Sequence, residues 1–291
     1  MAQEKILREA LRLKVNEAIV HHRNFHTANS KPSTQRGYNY FYTTFSREFG
    51  DRELSDVPPD EILSYLTTLT SNCSRETKRL RYVQTKAFFN FCINCLEVGI
   101  PNPCANNLLS KSFRHPKRTK RTVVGKEAVD EVIFRCENER DRIMLELMAR
   151  SGLRIGEVLK MRPCDIEGRK ITLEAPKSGK DIEYAYMTES TADRLAKHVK
   201  EKGFAPEARI FNLSYSGARF VVKKAGDRAD VNIKPHDFRR HAATYASRMG
   251  LPLEVVSKVL LRHANLSTTQ IYLGTISEAD ALHYMDTLHG K

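Results

Sequence analysis

Along almost the whole chain the apolar residues recur at intervals of three and four, and one stretch breaks that rhythm. Three-and-four spacing puts apolar side chains on one face of a helix, whereas strict alternation puts them on one face of a strand. A chain patterned this way is confined to packed helices with a small sheet. In "STQRGYNYFYTTFSREFG" the apolar positions 38, 41, 42, 45 and 49 form such a stripe, ended by Gly50. In "SDVPPDEILSYLTTLTS", Ser55, Asp56 and two prolines mark a helix start, and Ile62, Leu63, Leu66 and Leu69 follow on one face. Residues 6–21 read as a helix, with the polar, proline-bearing "HHRNFHTANSKPST" as the break after it. "RYVQTKAFFNFCINCLEVG" reads as one helix stopping at Gly99. The exception is "RKITLEAPKSGKDIEYAYMT", where Ile182, Tyr184 and Tyr186 alternate with Glu183 and Ala185 beyond a tight turn at Ser178–Gly179. A short "VNI" at 231–233 is also strand-like.

The expected fold is therefore mainly α. An all-helical N-terminal domain occupies residues 1–110, and residues 127–291 form an α+β domain with a small antiparallel sheet. Between them, residues 111–126 carry seven basic residues and no acid, which marks a linker. The whole chain holds 48 Lys+Arg against 35 Asp+Glu, a formal +13 over 291 residues, and an excess of this size favours a polyanionic partner. Lys117, Arg118, Lys120 and Arg121 are the candidate phosphate contacts of a strap lying along nucleic acid. No apolar run approaches the roughly 20 residues that span a bilayer, and the acid-bearing "MAQEKILREALRL" is no secretory leader. An intracellular, cytoplasmic protein with no membrane partner is the expectation. Cys92 and Cys95 form C-x-x-C, but inside a helix and with no second pair, so they read as core or helix-surface residues.

Four stretches of the second domain hold candidate chemistry. In "ARSGLRIGEVLKM", Ser151 reads as a helix N-cap with Arg154 at its third position, where backbone N–H groups and a guanidinium would converge on an anion. Lys177 sits at the mouth of the hairpin turn "PKSGK", with Lys180 on the same hairpin. In "KPHDFRRHAATYASRMG", Pro235 suits a helix start and Gly250 its end, so His236 and Arg239 share a face. The five-residue step from His236 to His241 is not zinc-ligand spacing. In "LLRHANLSTTQIYLG", His263 ends a helix, Ser267–Gln270 reads as a capping box, and Tyr272 falls at the fifth position of the helix it opens. A phenol with a pKa near 10 is a poor nucleophile until a base or a positive field activates it. Two arginines and a histidine supply that field and stabilise a five-coordinate phosphorus, while a lysine protonates the leaving oxygen. The product is a 3′-phosphotyrosyl link that conserves bond energy, so rejoining needs neither ATP nor metal and no cofactor is expected.

The assembled motifs resemble those of the tyrosine recombinase, or phage integrase, family. "SGLRIGE" is similar to its first arginine motif and points to Arg154; "PKSGK" matches the hairpin lysine, giving Lys177; "HDFRRHAAT" matches the His-x-x-Arg box, giving His236 and Arg239. "LLRHANLSTTQIY" matches the last box, giving His263 and the nucleophile Tyr272 nine residues on. One departure is Arg262, where the family commonly has glycine; as the end of a helix it is expected to face solvent or phosphate. The resemblance implies a helical core-binding (SAM-like) domain and a catalytic domain closing as a clamp around double-stranded DNA. It also implies a site-specific recombinase or integrase that works as a homo-tetramer at synapsis, in some cases with accessory DNA-bending proteins. The amphipathic stretch 277–289 would dock on a neighbouring protomer or fold back. A topoisomerase of type IB, a dimer resolvase and a DNA-binding module without chemistry are the competing readings.

Overall fold

The structure, a computed structural model, describes residues 13–114, 123–174, 182–263 and 265–270. The chain divides into two compact units, Met1–Arg118 and Thr119–Lys291. As the periodicity demands, the described part of the first is helical: α1 (Val15–Asn29), α2 (Pro32–Phe49), α3 (Pro59–Leu69), α4 (Arg75–Cys95) and the short α5 (Asn107–Ser112). Prolines open α2 and α3, where a missing N–H costs nothing, and Ser74 caps α4 through Thr77 N–H. The core is aromatic: Phe41, Tyr42, Phe45, Phe49, Phe88 and Phe89 are buried, and their rings meet edge-on or tilted except for Phe41 and Phe45, which stack.

Three boundaries differ from expectation. Helix α1 runs on through His21–Asn29, because His22 is buried and bonded at 2.9 Å to the Tyr42 hydroxyl; the polar segment turns only at Ser30. Helix α4 closes at Cys95 rather than Gly99, with Glu97 in the left-handed region at φ 54°. Residues 111–113 belong to the first unit, since α5 reaches Ser112 and buried Phe113 stacks on Tyr82. All six cysteines are free, and burial pushes the Cys92 thiol up to about 12, which keeps it a protonated core residue.

In the second unit α6 (Lys126–Phe134) and α7 (Glu139–Arg150) are separated by a turn that Asn138 recaps. Helix α7 is central: Ile143, Met144, Leu145, Leu147 and Met148 are all buried. After α8 (Ile155–Val158) come β1 (Ile166–Glu167), β2 (Lys170–Glu174) and β3 (Ile182–Tyr186), an antiparallel sheet in that order. Ile171 pairs with Ala185 and Leu173 with Glu183, so the alternation places Glu183 and Ala185 on the buried face. Helices α9 (Glu189–Lys202), α10 (Tyr215–Arg228) and α11 (Pro235–Arg248) follow. Then come α12 (Leu253–Val255), continued as a π-helical turn over Val256–Leu260, and α13 (Leu266–Gln270). The "VNI" segment is not a strand. It folds back on α10, where Val231 N–H bonds to Gly226 O, and a side chain at Gly226 would meet Val231 O at 2.4 Å.

Candidate active site

Three separated segments bring the candidate residues together. The first is the loop between α7 and α8. Ser151 closes α7 rather than opening a helix, because Gly152 at φ +60° turns the chain and Ser151 N–H still bonds to Leu147 O. That position has no room for a side chain either, since a β-carbon would lie 3.0 Å from Leu260 O. Arg154 is thus the residue preceding α8, not its third position. Glu157 takes the place expected for an anion: it accepts from Arg154 N–H at 2.8 Å and from the Arg154 guanidinium at 2.6 Å.

The second segment is α11. Pro235 begins it, and Asp237 accepts from Lys234 N–H at 2.9 Å, so the first turn is well specified. Arg239, one helical turn on, is fully buried. Its guanidinium donates to Gly152 O and to Leu261 O, tying the loop before Arg154 to the loop before His263. Arg239 therefore holds the site together as well as charging it.

The third segment runs from the π-helical turn to α13. Leu261 N–H bonds to Val256 O and His263 N–H to Ser257 O, which shapes the exit. His263 Nδ1 lies 2.9 Å from Thr269 Oγ1, which in turn donates to Ser257 Oγ at 2.8 Å. Helix α13 starts earlier than the S-T-T-Q box suggests: Asn265 Oδ1 accepts from Ser267 N–H at 2.9 Å, so asparagine does the capping. Arg262 does not face solvent. At φ 51° it occupies a left-handed conformation that costs a side-chain-bearing residue on the order of 1 kcal/mol. Its side chain is buried, donating to Glu157 Oε2 at 2.9 Å and to Leu260 O at 2.8 Å.

The electrostatics follow from this gathering. Partial desolvation by its neighbours first, then the Arg239, Arg240 and Arg154 charges, lower the pKa of His236, whose ring still reaches solvent. Burial, then Arg239, Arg154, Arg262 and His236, push His263 down to about 4. Both imidazoles are therefore neutral near pH 7, able to accept a proton or donate an N–H. Burial alone would raise Glu157, but Arg262, the Arg154 N–H and the Arg154 guanidinium outweigh it and hold the carboxyl ionised. The structure thus brings together Arg154, His236, Arg239 and His263. Lys177, Tyr272, Lys117, Arg118, Lys120, Arg121 and the 277–289 stretch lie outside the described residues. Sequence reading missed Glu157, although its place three residues after Arg154 signals a shared helical face. It also missed the inward course of Arg262, which a local pattern does not encode.

A cluster of arginine and histidine built around buried Arg239, with His236 exposed and Arg154 and His263 half-buried, on this mainly helical architecture defines a class. The chain belongs to the phage integrase family, whose model matches residues 124–277. Among relatives, it is 28% identical over 244 residues to a tyrosine recombinase of Pseudothermotoga lettingae, covering 78% of this chain and 82% of that protein. It is 28% identical over 251 residues to the tyrosine recombinase XerA of Pyrococcus horikoshii, covering 82% of each. Against XerA of Saccharolobus solfataricus the match is 28% over 146 residues, half of this chain and 49% of that one. The fold is that of a lambda integrase fragment solved as a dimer bound to a core site, with TM-score 0.73, 16% identity and coverage of 89% of this chain and 95% of that one. A lambda integrase tetramer bound to a Holliday junction aligns with TM-score 0.72 at 15% identity, over 90% of this chain and 78% of that one.

Proposed function

We propose that this protein is a site-specific DNA recombinase that cuts and rejoins duplex DNA through a 3′-phosphotyrosyl intermediate on Tyr272. The observation that carries this reading is the convergence of Arg154, His236, Arg239 and His263, drawn from three distant segments, into one cationic cluster. In this mechanism the Tyr272 phenol loses its proton to a neutral imidazole, and its oxygen attacks the phosphorus. The P–O5′ bond breaks, and Lys177 protonates the departing 5′ oxygen. The guanidinium groups stabilise the extra negative charge of the five-coordinate state. Reversal by a 5′ hydroxyl reseals the strand, with the phosphodiester energy held in the protein–DNA bond throughout. Tyr272 follows α13 by two residues in sequence, and His263 is anchored on that same helix through Thr269.

The similarity to a lambda integrase tetramer on a Holliday junction supports a homo-tetramer as the working assembly, with the basic 111–126 stretch along the phosphates. The relatives are Xer-type recombinases as well as integrases, so resolution of DNA dimers is as compatible with the site as integration. The test is Tyr272→Phe on a nicked duplex selected from a random pool. The variant should form no covalent adduct on a denaturing gel while its gel-shift affinity stays within about twofold of wild type, since one hydroxyl contributes little binding. An adduct persisting in the variant would overturn the assignment.

A further inference from the structure

Arg262 combines two unfavourable features. It carries a side chain at φ 51°, and it buries a guanidinium, 3% exposed, inside the protein. Either is tolerated only where the side chain makes interactions that outweigh it. Those interactions are specific. One terminal nitrogen donates to Glu157 Oε2 at 2.9 Å and another to Leu260 O at 2.8 Å, while Nε faces Glu183 Oε2 across 3.9 Å as an ion pair without a hydrogen bond. Glu157 and Glu183 are themselves nearly inaccessible, with side chains 10% and 5% exposed. Glu183 points inward from β3, the strand that follows the 175–181 hairpin in sequence. Arg262 therefore joins three parts of the site: the Arg154 loop through Glu157, the hairpin strand through Glu183, and its own neighbour His263.

The charge balance gives this junction a purpose. Of the described groups, Arg154, Arg239 and Arg262 are cationic, Glu157 and Glu183 anionic, His236 and His263 neutral, and Arg240 is paired with Asp237 at 2.9 Å. Without Arg262 the two carboxylates would cancel the other two guanidinium groups among the described residues, and the field on a phosphodiester would be weaker. With it, Glu157 can fix the Arg154 guanidinium at 2.6 Å without neutralising the site. We propose that Arg262 is a positioning residue for strand cleavage, clamping Glu157 and Glu183 together so that Arg154 is held in place while the pocket keeps a net positive charge. The proposal rests on the phosphotyrosyl reading for its purpose, but the clamp itself is a property of the folded chain.

The experiment compares wild type, Arg262→Gly, Glu183→Gln and the double variant R262G/E183Q. Glycine suits the backbone at 262, so the substitution relieves strain while removing the charge. Two quantities are measured: the rate of covalent adduct formation at saturating DNA, and thermal unfolding without DNA. Arg262→Gly should slow adduct formation about ten- to a hundredfold, the usual effect of losing a group that orients a reacting one, and gel-shift affinity should stay within about threefold. Removing Glu183 alongside it should recover a good part of the rate, because one buried negative charge leaves with the positive one. In unfolding, the double variant should lose less stability than the two single variants together. Wild-type rates in R262G would overturn the positioning role, as would a slow R262G that Glu183→Gln does not rescue. Additive stabilities would overturn the clamp. A wild-type chain that never forms an adduct would sink the phosphotyrosyl reading alone, and the stability coupling would still decide whether Arg262 bridges the two carboxylates.

Discussion

At the scale of single residues, the site separates arginines that look alike in the sequence. Arg154 keeps its side chain 22% exposed and anchors through Glu157, so its truncation leaves most of the packing intact. Arg239 is fully buried and satisfies two backbone carbonyls of different loops. Arg154→Ala and Arg239→Ala should each slow adduct formation at least about a hundredfold, the common effect of losing one transition-state donor. They should part in thermal unfolding. Arg239→Ala strands Gly152 O and Leu261 O without donors and should lose roughly 2–5 kcal/mol, whereas Arg154→Ala should lose about 1 kcal/mol or less. Arg239→Lys keeps the charge but not the fork that reaches both carbonyls, so it should behave nearer to alanine than to arginine. Equal melting temperatures for the two alanine variants would contradict the role of Arg239 as a tie between loops.

At the scale of elements, α1 and α2 are joined by a titratable contact. His22 lies among Tyr38, Tyr42, Phe88 and Phe91 and is bonded to the Tyr42 hydroxyl. Burial, reinforced by His26, pushes its pKa down from 6.5 to about 3. The unfolded chain binds a proton as the pH falls through 6.5, and the folded unit resists until near 3. Stability of the helical unit is therefore complete above pH 6.5 and falls progressively as the pH is lowered toward 3. His22→Gln keeps a polar partner for Tyr42 without a titrating ring. It should lose about 1 kcal/mol near neutrality and show a shallower fall of melting temperature with acid. An identical pH dependence in the variant would show that His22 does not govern it. Periodicity located these helices, but it ended α1 too early, because polarity alone does not reveal that a histidine turns inward to a tyrosine twenty residues away.

At the scale of the whole molecule, the excess of 13 positive charges is the property that reaches furthest from the surface. Association with DNA should weaken steeply with salt, and each phosphate contact removed should flatten the log–log slope by roughly 0.9. Replacing Lys117, Arg118, Lys120 and Arg121 together with glutamine should reduce the slope by up to about 3 to 4, measured by titrating duplex at several salt concentrations. A slope unchanged by all four replacements would remove the strap from the interface. No helix among the described residues is long and apolar enough to cross a membrane.

Taken by itself, the amino-acid sequence determined the elements and the candidates. Helical stripes, one alternating hairpin, and the separate motifs around Arg154, around His236 and Arg239, and around His263 are local patterns, each written within a few turns of chain. Those patterns come from backbone geometry, which repeats and so can be read in one dimension. Only the tertiary structure decided which way Arg262 and Glu183 point, that Arg239 joins two loops, and that Glu157 serves two guanidinium groups at once. Those outcomes depend on burial and on partners up to 105 residues apart in the chain. A buried charge is stable only where its counter-charge is brought to it, and nothing in the local sequence says where that will be.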